Sequence, residues 1–359
     1  MRGYRYSVLF TGTPQLKPDK NGEPIGVWFA RTLVAMLKSD GLARGLPGLV
    51  QATSGILERM APQPGHEAVM DPFDDIYRVV YDLTMRTVGA TEIVASPELM
   101  DKTLGWFETI QNASAVQIIF PWLPMFADVK RMVAGGRLYY LLKGLVDNRK
   151  KTGRREDDAL QYLIDNGEDD ITKVISFILG SLFAGQLNSG INAAYELCWL
   201  ASTPEWYRRL QEEVDGVVAA RRQSPGQSAV EVLSTLSLHE WENSFPMIDI
   251  CQRETIRHQM VGTGFRKNIT NTAIPIGKTG EVIPSGSFAV YTLDDVHFNP
   301  EYYPEPERWD PGRYLPEKEG NSPPLPFLGW GTGRHPCGKF SARWHQMPRS
   351  RLTKLLQWG

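Results

Sequence analysis

Only three cysteines occur in 359 residues, Cys198, Cys251 and Cys337, too few and too odd in number for a disulfide framework. No C-x-x-C or H-x-x-x-H spacing marks a zinc site. Charge of one sign is equally scarce: 39 lysines and arginines against 41 acids leave a net charge of −2, with no basic footprint for a nucleic-acid partner. The run Arg149-Lys-Lys-Thr-Gly-Arg-Arg155 is followed at once by Glu156-Asp-Asp158 and reads as a solvated link between helices. The opening stretch Met1 to Phe10 holds no apolar run long enough for a signal peptide or a spanning helix, so it is expected to encode no membrane anchor. Internal repeats and low-complexity linkers are also missing. What the chain does have is a 42% apolar composition, enough for a large buried core, and a length that suits one large domain or two average ones.

One cysteine stands apart from the other two. Cys198 lies in an apolar helical stretch and Cys251 just before Glu254, and both read as small core residues. Cys337 instead closes the segment Phe327-Leu-Gly-Trp-Gly-Thr-Gly-Arg-His-Pro-Cys337. Glycines at 329, 331 and 333 let the backbone turn tightly and approach a flat partner, while Arg334 and His335 bring donors that suit an anion. Such a loop presents a thiolate to a metal macrocycle. An axial thiolate favours O–O cleavage on haem iron, which points to oxygen activation and away from electron transfer.

Upstream stand Glu254-Thr-Ile-Arg257 and Pro306-Glu-Arg-Trp-Asp-Pro-Gly-Arg313-Tyr314, and further back Phe183-Ala-Gly-Gln-Leu-Asn-Ser189. In order and spacing these elements resemble the cytochrome P-450 haem-thiolate enzymes. The resemblance implies a structural triad of Glu254, Arg257 and Arg313, with Tyr314 in the aromatic position, fixing the chain ahead of the cysteine loop. It also implies haem b with Cys337 as the proximal iron ligand. Trp330, Gly331, Gly333 and Gly338 would surround the cofactor, and Arg334 or His335 would pair with its propionates. Ala184 and Gly185 would border the distal face, with Asn188 and Ser189 near the oxygen site. The tripeptide Ala184-Gly185-Gln186 is most similar to sterol 14-alpha-demethylases and their fungal relatives. Trp28-Phe-Ala-Arg31 stands where the family places a propionate-contacting tryptophan and arginine, one residue short of the usual spacing, and also fits an ordinary amphipathic helix.

The same resemblance implies a monooxygenase that acts on an apolar small molecule: a sterol, a terpenoid or another secondary metabolite. Electrons would come from NADPH through a cytochrome reductase docked on the cysteine side of a monomer. The setting implied is the cytosolic face of the endoplasmic reticulum membrane, and the chain is expected to lack both the family's beginning and its terminal strands. Three departures stand out. Leu187 and Asn188 occupy the positions where the family carries a proton-delivering acid and threonine, and neither titrates. Trp330 replaces a phenylalanine, and Gly338-Lys339 is one residue short of the family's pattern after the cysteine. These leave two alternatives open: a haem-thiolate isomerase or dehydratase acting on a peroxide, and a non-catalytic remnant.

Apolar periodicity predicts helices over Gly26 to Ser39, Asp71 to Gly89, Pro97 to Asn112, Lys130 to Arg149 and Asp157 to Asp165, with Pro121-Trp-Leu-Pro124 as a breaker. The longest is expected from about Thr172 to Ser202, where Gly180, Gly185 and Gly190 imply close approach by something flat. A charged helix after Pro204 and another ending in Glu254 to Arg257 follow, then short strands such as Ser287 to Tyr291. The fold expected is mainly α with a small β-sheet region, a cytochrome P-450-like fold laid out as one domain over residues 1–359.

Overall fold

The computed structural model describes residues 25–38, 40–62, 65–67, 69–111, 126–168, 170–319 and 327–329. The Pro121 to Pro124 breaker falls outside them. The described residues divide into two compact units, one holding residues up to Ile191 with Arg222–Glu240, the other Asn192–Arg221 and the residues from Trp241 on.

The first unit is helical. Helices α1 (Ile25–Lys38), α2 (Asp40–Met60), α3 (Pro72–Val88), α4 (Thr91–Val94), α5 (Pro97–Gln111), α6 (Phe126–Thr152) and α7 (Ala159–Asp165) lead into the long α8 (Ile171–Ser202). Helix α3 shows why these segments fold locally. Asp71 caps it by accepting the Phe73 N–H at 3.0 Å, Pro72 occupies the first turn with φ already set, and Asp74 and Asp75 favour its positive end. Its buried face, including Tyr81, Met85 and Val88, packs with Phe107 of α5, Leu142 of α6, Leu160 of α7 and Phe177 of α8 in one core.

Helix α2 escapes the periodicity reading because Pro47 and several glycines interrupt its pattern. Packing decides instead, as Leu49 docks on Val79 and Leu83 of α3. The basic run is only partly a solvated link. Lys150, Lys151, Arg154 and Arg155 are exposed, but Arg149 is buried and forks onto two carboxylates, with Nε 2.9 Å from Glu92 and Nη1 2.7 Å from Asp158. Asp158 also caps α7 at Gln161 and accepts the Thr91 N–H at 2.8 Å, so Arg149 and its two carboxylates join α4, α6 and α7.

Helix α8 is long and apolar enough to cross a membrane, the one such helix among the described residues, and 56% of its most apolar stretch is buried within the protein. Its glycines admit neighbouring side chains. A Cβ at Gly180 would lie 2.9 Å from the Phe29 ring, at Gly185 3.3 Å from Thr84, and at Gly190 3.3 Å from the Tyr77 ring. The flat groups approaching Gly180 and Gly190 are therefore aromatic rings of α1 and α3. Trp28 is likewise a core residue, edge-on to Phe177, which is the amphipathic-helix reading of that segment.

In the first unit, Ser228 and Glu231 form a capping box at the start of the short helix Ala229–Ser234.

The capping pair is reciprocal: Glu231 N–H donates to Ser228 Oγ, and the Ser228 N–H donates back to the Glu231 carboxylate at 2.7 Å.

The second unit takes in the end of α8, then α9 (Pro204–Arg221) and, after the short helices α10 (Ala229–Ser234) and α11 (Leu238–Asn243), helix α12 (Pro246–Gln259). The carboxylate of Glu213 on α9 accepts the Met247 N–H at 2.8 Å and the Ile248 N–H at 3.3 Å, closing the first turn of α12 from a neighbouring helix. Leu200, Trp206, Cys251 and Trp309 form the local core. Strand β1 (Thr263–Lys267) pairs antiparallel with β4 (Phe288–Thr292), Thr263 opposite Thr292, and β2 (Ile274–Pro275) pairs with β3 (Val282–Ile283). The mainly α fold with a small β region is thus as expected from the sequence. Of the two described cysteines, Cys251 is a buried core residue, whereas Cys198 lies on an exposed face of α8, where apolar neighbours in sequence point another way round the helix.

Candidate functional site

Glu254 and Arg257 sit one turn apart on α12, and both are fully buried. A buried carboxylate needs hydrogen-bond partners, and both oxygens of Glu254 have them. Its Oε2 accepts Arg257 Nε at 2.9 Å. Its Oε1 accepts Arg257 Nη2 at 2.8 Å, Arg313 Nε at 3.3 Å and the Asp310 N–H at 3.0 Å. Arg313 comes from a single 3-10 turn, Pro311–Tyr314, which Asp310 caps by accepting the Gly312 N–H at 2.9 Å.

The remaining guanidinium donors reach main-chain carbonyls. Arg257 donates to His297 O at 2.6 Å and to Pro306 O at 2.8 Å, and Arg313 donates to Glu305 O at 2.8 Å and to Pro304 O. Glu305 itself has φ of 50°, a left-handed conformation that costs a non-glycine residue about 1–3 kcal/mol. The carbonyls on and beside it are the ones that the two arginines hold. The three residues therefore form one network that shapes residues 304–313 around α12. Arg253 adds a cation over the Tyr314 ring at 4.1 Å, and Trp309 Nε1 donates to Thr255 Oγ1 at 3.1 Å.

Phe327, Leu328 and Gly329 come to rest beside this helix. A Cβ at Gly329 would lie 2.5 Å from Ile256 Cγ2, so only glycine fits that approach. Trp330, Gly331, Gly333, Arg334, His335, Cys337 and Gly338 lie outside the described residues.

On α8 the four oxygen-site residues divide between two faces. Ala184 and Asn188, one turn apart, are exposed, while Gly185 and Ser189 are buried, Gly185 against Thr84. Gln186 is fully buried and anchors the helix by donating to Tyr77 O at 2.8 Å. The exposed pair is a low-relief surface, one methyl group and one amide, that fits the face of a flat cofactor. Among the described residues no group of three or more His, Cys, Asp and Glu could hold a metal ion.

Residues 30–345 match the family model for cytochrome P450. The chain belongs to the cytochrome P450 family. Among its relatives, the cytochrome P450 monooxygenase AacuE of Aspergillus aculeatus is 35% identical over 88% of this chain and 63% of its own length. The lanosterol 14-alpha demethylase of Cunninghamella elegans is 24% identical over 84% of this chain and 61% of its own length. The demethylase is thus a more distant relative than the fungal monooxygenase. The chain spans about three-fifths of the length of these relatives. A solved structure, retinoic acid bound cyanobacterial CYP120A1, superposes with a TM-score of 0.68 at 21% identity, covering 92% of this chain and 69% of that one, which shows the fold.

Two features of this cytochrome P450 were not legible beforehand. His297 joins the network through its carbonyl and meets Leu328 through its ring, but no sequence spacing ties it to a residue about thirty positions later. Glu196, on the second-unit part of α8, has its pKa pushed up to about 8 by burial and by the neighbouring Asp249 carboxylate. The folded protein keeps that proton at neutral pH, and the unfolded chain releases it near the ordinary carboxylate value. The stability this confers is fully present below that value and is lost as pH rises towards 8. Unfolding midpoints measured from about pH 5 to pH 8 are expected to fall, and Glu196→Gln to flatten the decline. A slope identical in wild type and variant contradicts the assignment.

Proposed function

We propose that the chain is the core of a haem-thiolate monooxygenase that oxidises an apolar small molecule, with electrons passed from NADPH by a reductase at the cytosolic face of the endoplasmic reticulum membrane. The observation that carries this reading is the buried Glu254, Arg257 and Arg313 network, which leads the chain to the loop of Cys337. Cys337 would hold haem iron as thiolate, supplying oxygen activation when the group is bound. Arg334 and His335 would neutralise its propionates, and Trp330, Gly331, Gly333 and Gly338 would line the loop around it. The exposed pair on α8, Ala184 and Asn188, would face the cofactor, the methyl group leaving room and the amide offering a hydrogen bond. Gly185 and Ser189 would act behind them, through helix packing.

The family resemblance ascribes proton delivery to an acid and a threonine, and here Leu187 and Asn188 stand in those places. That substitution favours, as a second reading, rearrangement of a substrate that already carries a peroxide. Turnover under 18O2 with a fungal reductase, NADPH and a panel of apolar substrates separates the two. Monooxygenation is expected to place one 18O atom in the product. Conversion of a lipid hydroperoxide without reductase, with no 18O incorporated into any product, would replace it by the isomerase reading.

A further inference from the structure

His297 is fully buried at the end of the short helix α13 (Asp294–His297). Its ring makes two contacts with the segment that continues to Cys337. The Leu328 N–H donates to Nε2 at 3.0 Å, and the Phe327 ring stacks on the imidazole with centroids 5.6 Å apart at 23°. Its carbonyl meanwhile takes Arg257 Nη1 at 2.6 Å. One residue thus connects the Glu254 network, through its main chain, to the start of the cysteine loop, through its side chain.

From this geometry we infer that His297 is a positioning residue, whose neutral imidazole, protonated on Nδ1, pins the main chain at Leu328 and so holds the loop of Cys337 in place for haem retention. The role in haem retention rests on the haem-thiolate reading, whereas the pin itself does not. An imidazole nitrogen that accepts must carry no proton, so the ring has to stay neutral. Burial, followed by the adjacent Arg257 charge, lowers the His297 pKa to about 4, which keeps it neutral across the physiological range. Tyr303 closes the other side, edge-on to the imidazole with centroids 6.4 Å apart, and fixes the ring plane.

Two substitutions isolate the acceptor. His297→Phe keeps a ring for Phe327 to stack on and removes both ring nitrogens, of which Nε2 is the one that accepts from Leu328, while His297→Gln returns an oxygen near the position of Nε2. Amide hydrogen exchange on the purified full chain is expected to speed up about tenfold at Leu328 in His297→Phe, the loss of one net hydrogen bond. The amides of α12 should keep their protection, and His297→Gln should restore Leu328. Haem dissociation to apomyoglobin should accelerate in His297→Phe and recover in His297→Gln. Unchanged Leu328 exchange in His297→Phe, or His297→Gln behaving like His297→Phe, overturns the inference. So does a wild-type nitrogen spectrum with the imidazole proton on Nε2, a measurement that needs no variant to fold. Slow Leu328 exchange that depends on His297 in a protein that takes up no haem would sink the haem-thiolate reading and the retention role while leaving the pin intact.

Discussion

Glu254→Ala is expected to cost about 3–5 kcal/mol, the price of leaving buried guanidinium charges without their counter-ion. Total stabilities run to only about 5–15 kcal/mol, so the loss consumes much of what holds the protein together. The size follows from the contacts. The carboxylate accepts four of the donors that order residues 304–313: three from Arg257 and Arg313 and one from the Asp310 main chain. Without it, Arg257 and Arg313 repel across a buried gap, and the left-handed turn at Glu305 loses the guanidiniums that hold its carbonyls. Chemical denaturation of wild type and variant reads the loss directly, with haem content measured on the same samples. Haem uptake is expected to vanish. A variant with wild-type stability and a full complement of haem would contradict the role given to the network.

The network was legible in the order of its motifs. An acid and a base one helical turn apart read by themselves as an exposed ion pair, and it is the family resemblance, through the order of the motifs, that adds Arg313 and implies a buried set. Helix α8 was legible from its apolar length, within a residue or two at its ends. Other features were hidden because tertiary contacts decide them. Pro47 and its neighbouring glycines argue against a helix, and only docking on α3 makes α2 one. Arg149 looks like its basic neighbours until Glu92 and Asp158 converge on it. The family resemblance grouped Gly185 and Ser189 with Ala184 and Asn188, but which of the four faces open space depends on where α3 packs against the helix.

Cys337→Ser carries the other large effect. A thiolate is a strong, charged iron ligand, and a neutral serine hydroxyl neither releases its proton as readily nor donates electron density to the metal in the same way. The variant should therefore lose the thiolate signature even where residual haem remains bound. This distinction separates ligation by Cys337 from mere retention of a pigment in an apolar cleft. The most direct measurement is the absorption spectrum of the reduced, carbon-monoxide-bound protein, recorded for wild type and Cys337→Ser side by side. Wild type is expected to show the red-shifted Soret band of a thiolate-ligated haem and the variant to lack it. A folded wild-type protein without that band, or a Cys337→Ser protein that keeps it unchanged, would contradict the claim that this sulfur binds haem iron.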